Sequence, residues 1–200
     1  MNKENEPLTT GCVAADIAGY CTEIAAWRLL RDISTEVAQR GEEHPCVITP
    51  SSVAITEDGG FILLDVQEDP VSLYAAPECR EGRPTQKSTV WSMAATVFKL
   101  VMGCDVFNGR GGRAQHKGSK IPYMREEMPD LSQLLCRCLS YLPQNRPEVI
   151  EIHDMASLHF QRCLENVRRG PRFKAPTTAD SGTDDSDTGF WPEEMIDIHS

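Results

Sequence analysis

One stretch of the sequence, residues 87–102, constrains the fold most because it is apolar on nearly every side of a helix. Its apolar side chains are spread nearly all round the helical surface: Val90, Trp91, Met93, Ala94, Val97, Phe98, Leu100 and Val101. A helix with this distribution has to be surrounded by other elements. Gly103 follows directly, and glycine is common just beyond a helix end. We therefore expect a central core helix.

The elements predicted around this helix are mostly amphipathic helices. Apolar residues at spacings of three and four predict a helix over residues 22–39, with Thr22 as its N-cap and Gly41 beyond its end. Similar spacing predicts helices over 131–139 and 148–168, and a shorter one over 13–19. Two β-like runs, 52–55 and 61–64, flank an Asp-Gly-Gly turn and predict a hairpin.

Charge divides the chain into a nearly neutral body and an acidic end. The net charge is −10, yet residues 175–200 hold seven Asp or Glu residues and no Lys or Arg. We expect a domain over residues 8–172 and an acidic, disordered tail over 173–200. A nearly neutral domain disfavours nucleic-acid binding. No apolar run is long enough for a membrane span, and the first residues lack an export signal, so we expect a cytoplasmic protein.

Eight cysteines are present, but their spacing does not indicate a zinc site or a disulfide framework. Cys136 and Cys138 lie two apart in a predicted helix and would face different ways. His153 and His159 are six apart and do not share a helical face either. We expect free thiols and no bound metal.

Several motifs, taken in chain order, resemble the C-terminal lobe of a protein kinase. Residues 76–78 match the Ala-Pro-Glu motif of that family. Residues 89–94, Thr-Val-Trp-Ser-Met-Ala, are similar to its Asp-Val-Trp-Ser-Leu-Gly helix, and residues 138–147 resemble its terminal Cys-Leu…Pro…Arg-Pro signature. The resemblance implies a mainly α fold with one or two short β-hairpins. It also implies a buried ion pair between Glu78 and Arg146.

The resemblance also shows which chemical groups differ from the family. Kinases need a glycine-rich loop, a strand lysine paired with a glutamate, a catalytic aspartate and metal ligands. Few residues precede the first helix, so we expect the N-terminal lobe to be absent. The His-Arg-Asp triplet aligns on Pro45, Cys46 and Val47, and the metal-binding asparagine on Ser52. A one-residue insertion would restore His44 but place Cys46 at the aspartate position. Neither register provides a catalytic carboxylate.

Three further positions bear on residual activity. Asp65 aligns with the metal-binding aspartate of Asp-Phe-Gly, but a lone carboxylate holds Mg²⁺ poorly, and we expect it only to end a strand. Eight residues separate the aligned triplet from Ala76, which is short for an activation segment and predicts loss of the substrate platform. Thr89 stands where an aspartate normally braces the catalytic loop. We interpret this threonine as a sign that there is no catalytic loop to brace.

Two segments are candidates for partner contacts. Residues 110–120 form a predicted exposed loop with Arg110, Arg113, Lys117 and Lys120, which could hold phosphate or an acidic peptide, including the tail of this chain, or could simply be solvated. The tail carries Phe190, Trp191 and Met195, which could dock in a groove.

The motifs together predict an inactive kinase-like domain that acts as a protein-interaction or regulatory module, with no catalytic residue and no cofactor. Its partners would be proteins, with no membrane, nucleic acid or small-molecule substrate expected. Two alternatives stay open: a degenerate serine/threonine kinase that still binds ATP, and one half of a split kinase completed by a partner.

Overall fold

The computed structural model of the protein describes residues 12–65, 72–121, 124 and 126–170. Five α-helices and two strands lie in these ranges: α1 (Glu23–Arg40), β1 (Val53–Ile55), β2 (Phe61–Leu63), α2 (Gln86–Met102), α3 (Val106–Gly109), α4 (Pro129–Cys138) and α5 (Val149–Arg169). Short 3₁₀ turns connect them, among them Ala14–Ile17, Pro50–Ser52, Pro77–Glu81 and Gly111–Ala114. The fold is mainly helical with a single two-stranded hairpin in the described part, as predicted.

The central helix α2 is buried on every side. All its residues from Ser88 to Val101 are buried except Lys99, and Val90, Trp91, Val97 and Leu100 are fully inaccessible to solvent. Thr85 and Ser88 form a capping box at its start. Gly103 ends it with a positive φ of 73°, a conformation that glycine adopts without strain. The other helices pack around α2, so it holds the parts of the site together.

Helices α1 and α5 lie against each other and cover one side of α2. The Thr22 side chain accepts a hydrogen bond from the Ala25 amide, and α1 ends at Arg40 before Gly41, as predicted. Between the two helices, the indole of Trp27 stacks on the His159 imidazole, with 4.4 Å between ring centroids. The guanidinium of Arg31 lies 4.5 Å above the Phe160 ring. These contacts fix the base of the domain.

The hairpin is antiparallel and is attached to α1 by side chains. Val53 pairs with Leu63 and Ile55 with Phe61. Glu36 accepts a hydrogen bond from the Leu63 amide at 3.1 Å, so the exposed strand edge is satisfied by a helix side chain. None of the described helices combines the length and apolar character that a bilayer crossing needs. The predicted domain boundary at 172 lies outside the described residues.

Candidate functional site

The loop that resembles the kinase catalytic loop is held against α2 by three hydroxyl side chains. Thr89 Oγ1 donates to the Pro45 carbonyl oxygen at 2.9 Å. Ser92 Oγ accepts from the Ile48 amide at 2.6 Å and donates to the Ile48 carbonyl oxygen at 2.9 Å, and Thr96 Oγ1 donates to that oxygen at 2.7 Å. We call Thr89, Ser92 and Thr96 the hydroxyl clamp. It fixes the backbone of residues 45–48.

The interpretation that Thr89 has no loop to brace is therefore wrong. Its hydroxyl holds the Pro45 carbonyl oxygen and also lies 2.9 Å from His44 Nδ1. A hydroxyl satisfies a carbonyl acceptor without placing a charge in a site that is fully buried. The loop has kept its support on α2 although the supporting group is neutral.

The residues aligned with the catalytic aspartate and the metal-binding asparagine are both buried. Val47, at the aligned aspartate position, is 3 % exposed, and Ile48 is fully buried. Ser52, at the aligned asparagine position, is also 3 % exposed. Its hydroxyl accepts from the Thr49 amide at 2.8 Å and donates to the Thr49 carbonyl oxygen at 3.0 Å. Neither side chain presents a carboxylate or a free ligand atom at the surface.

Asp65 lies beside Ser52, because the Leu64 amide donates to the Ser52 carbonyl oxygen at 2.8 Å. The structure thus brings the two aligned metal-binding positions together at the end of the hairpin. The Asp65 side chain is 90 % exposed, and its Oδ1 accepts from Arg40 Nη1 at 2.7 Å. Within the described ranges, no group of three His, Cys, Asp or Glu side chains could hold a metal ion.

Glu78 and Arg146 form a bidentate ion pair, with N–O distances of 2.6 and 2.9 Å. The Arg146 side chain is fully buried and that of Glu78 is 13 % exposed. The remaining guanidinium donors reach backbone carbonyl oxygens of Ser140, Tyr141 and Lys87 at 2.8 to 3.0 Å. The pair therefore joins three separate parts of the chain, namely the Ala-Pro-Glu segment, the start of α2 and the turn before α5.

Hydrogen bonds decide the charge state of Glu78. Burial acts to raise the pKa of this carboxyl group, but the bonds from Arg146 and from Ser88 Oγ, which lies 2.6 Å away, hold the pKa below its ordinary value. The carboxylate is charged at neutral pH, and the pair is a true ion pair. Lys87 Nζ adds a bond to the Arg146 carbonyl oxygen at 2.8 Å.

The expected exposed loop over residues 110–120 is exposed only in part, which corrects the sequence prediction. Residues Gly111–Ala114 form a 3₁₀ turn in which Gly111 and Gly112 are buried. A Cβ on Gly112 would lie 2.1 Å from the Ala75 carbonyl oxygen, so glycine is needed for this close backbone approach. Gln115 is buried as well, where its amide accepts from Trp91 Nε1 and donates to the Leu139 carbonyl oxygen.

The cations of this loop do point outward. The residues Arg110, Arg113, Lys117 and Lys120 are exposed around the buried turn. Phe190, Trp191 and Met195, the predicted partner contacts of the tail, lie outside the described residues. So do Val66, Gln67 and half of the shortened activation segment (residues 68–71), and the prediction of a lost substrate platform stays a prediction.

The cysteines and histidines form no joint site among the described residues. All eight cysteines are free thiols. Burial raises the pKa of Cys21 and of Cys138 to about 12, so both stay protonated at neutral pH. His153 lies against Asp154, whereas His159 stacks on Trp27, so the two do not form a joint site.

Sequence reasoning missed several residues that hold the site. Ser88 and Lys87 complete the Glu78–Arg146 network, and Gln115 joins α2 to the end of α4. The signal that could have found Gln115 is a single polar residue between two buried glycines and a basic run. Its role depends on a contact across 24 positions in sequence, which no local pattern reveals.

Comparisons with known proteins agree with a distant kinase-like relationship. No protein-family model matches the chain. The chain is similar to calcium-dependent protein kinase 5 of Plasmodium berghei (strain Anka), with 29 % identity over 91 residues that make up 42 % of this chain. It is also similar to tyrosine-protein kinase Fer of Homo sapiens, with 24 % identity over 128 residues and 61 % of this chain. The matched part spans 16 % of the length of each relative.

Proposed function

We propose that this chain is a kinase-like domain without phosphotransfer activity and that it works as a protein-interaction or regulatory module. The observation that carries the proposal is the buried Val47 at the position aligned with the catalytic aspartate. Phosphoryl transfer in kinases requires a group there that accepts a hydrogen bond from the attacking hydroxyl. A valine side chain offers no acceptor, and the neighbouring loop atoms are already bonded to the hydroxyl clamp.

The contacts made by the two aligned metal-binding positions support the same proposal. Mg²⁺ in kinases is held by two protein ligands together with the nucleotide phosphates. The Ser52 hydroxyl is already hydrogen-bonded to the Thr49 backbone. The Asp65 carboxylate is already paired with the positively charged guanidinium of Arg40. A cation would have to displace that guanidinium and would gain a single carboxylate.

Retention of the supporting contacts favours a binding role over simple decay. The hydroxyl clamp and the Glu78–Arg146 pair keep the loop and the helical base in place without any catalytic group to position. A protein that binds a partner needs such a rigid scaffold, because the scaffold holds the contact residues in the geometry that the partner recognises.

The first experiment tests nucleotide binding and transfer with the purified chain. Thermal unfolding is followed with and without millimolar ATP and either Mg²⁺ or Mn²⁺, and radiolabelled ATP is offered with protein acceptors. We expect no shift in Tm and no labelled acceptor. A nucleotide present at 100 times its Kd would add about 2.7 kcal/mol, or roughly 5–10 °C in Tm for a domain of this size.

The Asp65→Ala variant is the matched control, and it also tests the retained-nucleotide alternative. Asp65 is the one aligned metal-binding carboxylate that remains, so any residual metal-dependent nucleotide binding would depend on it. A shift in Tm that requires the metal and disappears in Asp65→Ala would favour a degenerate kinase. Acceptor phosphorylation by the wild-type chain would refute the proposal outright.

A second experiment addresses the binding role. The chain is immobilised at neutral pH, and proteins that it retains are tested for direct binding with purified components and for a change in their own activity. We expect a stoichiometric complex that forms with the same affinity in the presence and absence of ATP. Failure to bind any purified candidate, together with ATP-dependent labelling, would contradict the regulatory role.

A further inference from the structure

An open pocket of about 680 Å³ lies between α3 and the chain that follows the buried glycines. Its volume is within the range of about 300–1,000 Å³ that is typical of ligand sites. The lining includes Phe107, Asn108, Arg110, His116, Lys120 and Ile121. We call it the basic pocket.

The lining of the basic pocket combines cationic and apolar side chains. Arg110 and Lys120 are exposed, and no ion pair to either is formed by the described residues. Phe107 and Ile121 provide apolar surface that is only partly covered by the core. Among the lining residues that the structure describes there is no Asp or Glu. The nearest acid in sequence, Asp105, is already bonded to Tyr74 and Lys99. The fitting ligand therefore combines carboxylates with an aromatic or aliphatic group.

The walls of the pocket are set by the backbone. Phe107 and Asn108 have φ values of 55° and 58°, in the left-handed region that non-glycine residues rarely adopt. Directly after them, Gly111 and Gly112 dock against the backbone of Leu73 and Ala75. Arg110 lies between these two features and lines both this pocket and the adjacent cavity. The backbone of Arg110 is thus held by the left-handed residues before it and by the buried glycines after it.

We propose that the basic pocket binds the acidic segment 175–200 of the same chain, with Phe190 and Trp191 against Phe107 and Ile121 and with Glu193 and Glu194 near Arg110 and Lys120. The charges match, because residues 175–200 carry seven acids and no Lys or Arg. The described chain ends at Gly170, and the 20 residues to Phe190 span up to about 66 Å when extended. A domain of this size is about 40 Å across. The tail therefore reaches any face of the domain.

This inference is independent of whether the chain transfers phosphate. An acidic segment held in this way occupies the pocket until a competing acidic ligand displaces it. The contact depends on charge, so it weakens with salt: the screening length falls from about 10 Å at 0.1 M to about 3 Å at 1 M. A segment tethered to its own site binds at a high effective concentration, which a partner in solution has to overcome.

The test uses ¹⁹F NMR of the full chain labelled with fluorotryptophan. The sequence has three tryptophans, and Trp27 and Trp91 are fully buried, so the third resonance reports on Trp191. It is assigned with Trp191→Phe. At low salt we expect the Trp191 resonance to differ from its position in the denatured chain. The double variant Arg110→Glu with Lys120→Glu, or 1 M salt, should abolish the difference completely.

A matched control reverses two exposed cations elsewhere, Arg162→Glu with Arg168→Glu, and should leave the Trp191 resonance in place. The Trp27 and Trp91 resonances report whether each variant is folded. If the pocket variant unfolds, the double variant Glu193→Gln with Glu194→Gln removes two charges from the tail instead. It should move the Trp191 resonance to its position in the denatured chain.

Three results would each overturn the inference. In the first, the wild-type Trp191 resonance already matches the denatured position, which would leave the pocket open to an external ligand. In the second, the control variant releases the tail and the pocket variant does not. In the third, release occurs on dilution, which would mean that the tail binds a second copy of the chain.

Discussion

Replacing Arg146 by alanine tests how much the ion pair with Glu78 contributes to the free energy of unfolding. The substitution removes a guanidinium that makes five hydrogen bonds and whose side chain has no solvent exposure. Glu78 would be left as a carboxylate that is mostly buried and without its cation. Breaking a buried ion pair from one side typically costs about 3–5 kcal/mol. Three backbone carbonyl oxygens also lose their donor, so we expect a value near 5 kcal/mol.

The matched control is Arg137→Ala. Arg137 pairs with Glu151 at 3.3 Å, but both side chains are about half exposed. Exposed pairs contribute about 0–1 kcal/mol, so this variant should unfold almost like the wild type. Urea unfolding at pH 7, followed by the fluorescence of the buried tryptophans, measures both free energies. A loss below about 1 kcal/mol in Arg146→Ala, or equal losses in the two variants, would refute the reasoning.

The same pair predicts a pH dependence with a definite sign. The folded pKa of Glu78 is held below its ordinary value of 4.5, so its contribution to stability is fully present above pH 4.5. It is lost as the pH falls below that value toward the folded pKa. The stability difference between the wild type and Glu78→Gln should therefore shrink on acidification. A difference that stays constant from pH 7 to pH 3 would contradict this assignment.

Three further perturbations have definite expected results. Ser92→Ala removes both bonds to the Ile48 backbone and leaves a buried amide without an acceptor, which should cost about 1–3 kcal/mol in urea unfolding; an unchanged midpoint would contradict the clamp. Gly112→Ala should destabilise more than Gly118→Ala, because the former meets another backbone segment whereas the latter has only the strain of its positive φ, and Tm values that fall equally would refute the close approach. Burial and the bond to Asp105 raise the pKa of Tyr74, so alkaline absorbance titration of the folded chain should leave this phenol protonated after exposed tyrosines ionise, and Tyr74→Phe should not change the titrated amplitude near pH 10.

The fold was predictable because its strongest signals are local. Apolar residues at helical spacing define α1, and the Thr22 cap and Gly41 mark its ends. The continuous apolar surface of residues 87–102 predicts a central position for α2, since such a surface cannot face water. The hairpin follows from two short β-like runs around an Asp-Gly-Gly turn.

The site was predictable only where a motif named both partners. The resemblance connected Glu78 with Arg146, which are 68 positions apart and lie within hydrogen-bond distance. The sequence did not predict the burial of the glycine turn or the hydrogen bond from Thr89 to the loop. Both depend on contacts with backbone atoms that are distant in sequence. A basic run such as residues 110–120 looks solvated in sequence, and its two glycines acquire meaning only beside Leu73 and Ala75.

The burial of Val47 makes this position a costly one for a carboxylate. A Val47→Asp substitution would introduce a carboxylate where only 3 % of the residue is accessible to solvent. An unpaired buried charge costs several kcal/mol, which is a large share of the 5–15 kcal/mol that keeps a typical domain folded. A carboxylate at position 47 therefore requires accompanying changes in the loop that surrounds it, because a single substitution to aspartate would remove a large part of the domain's stability.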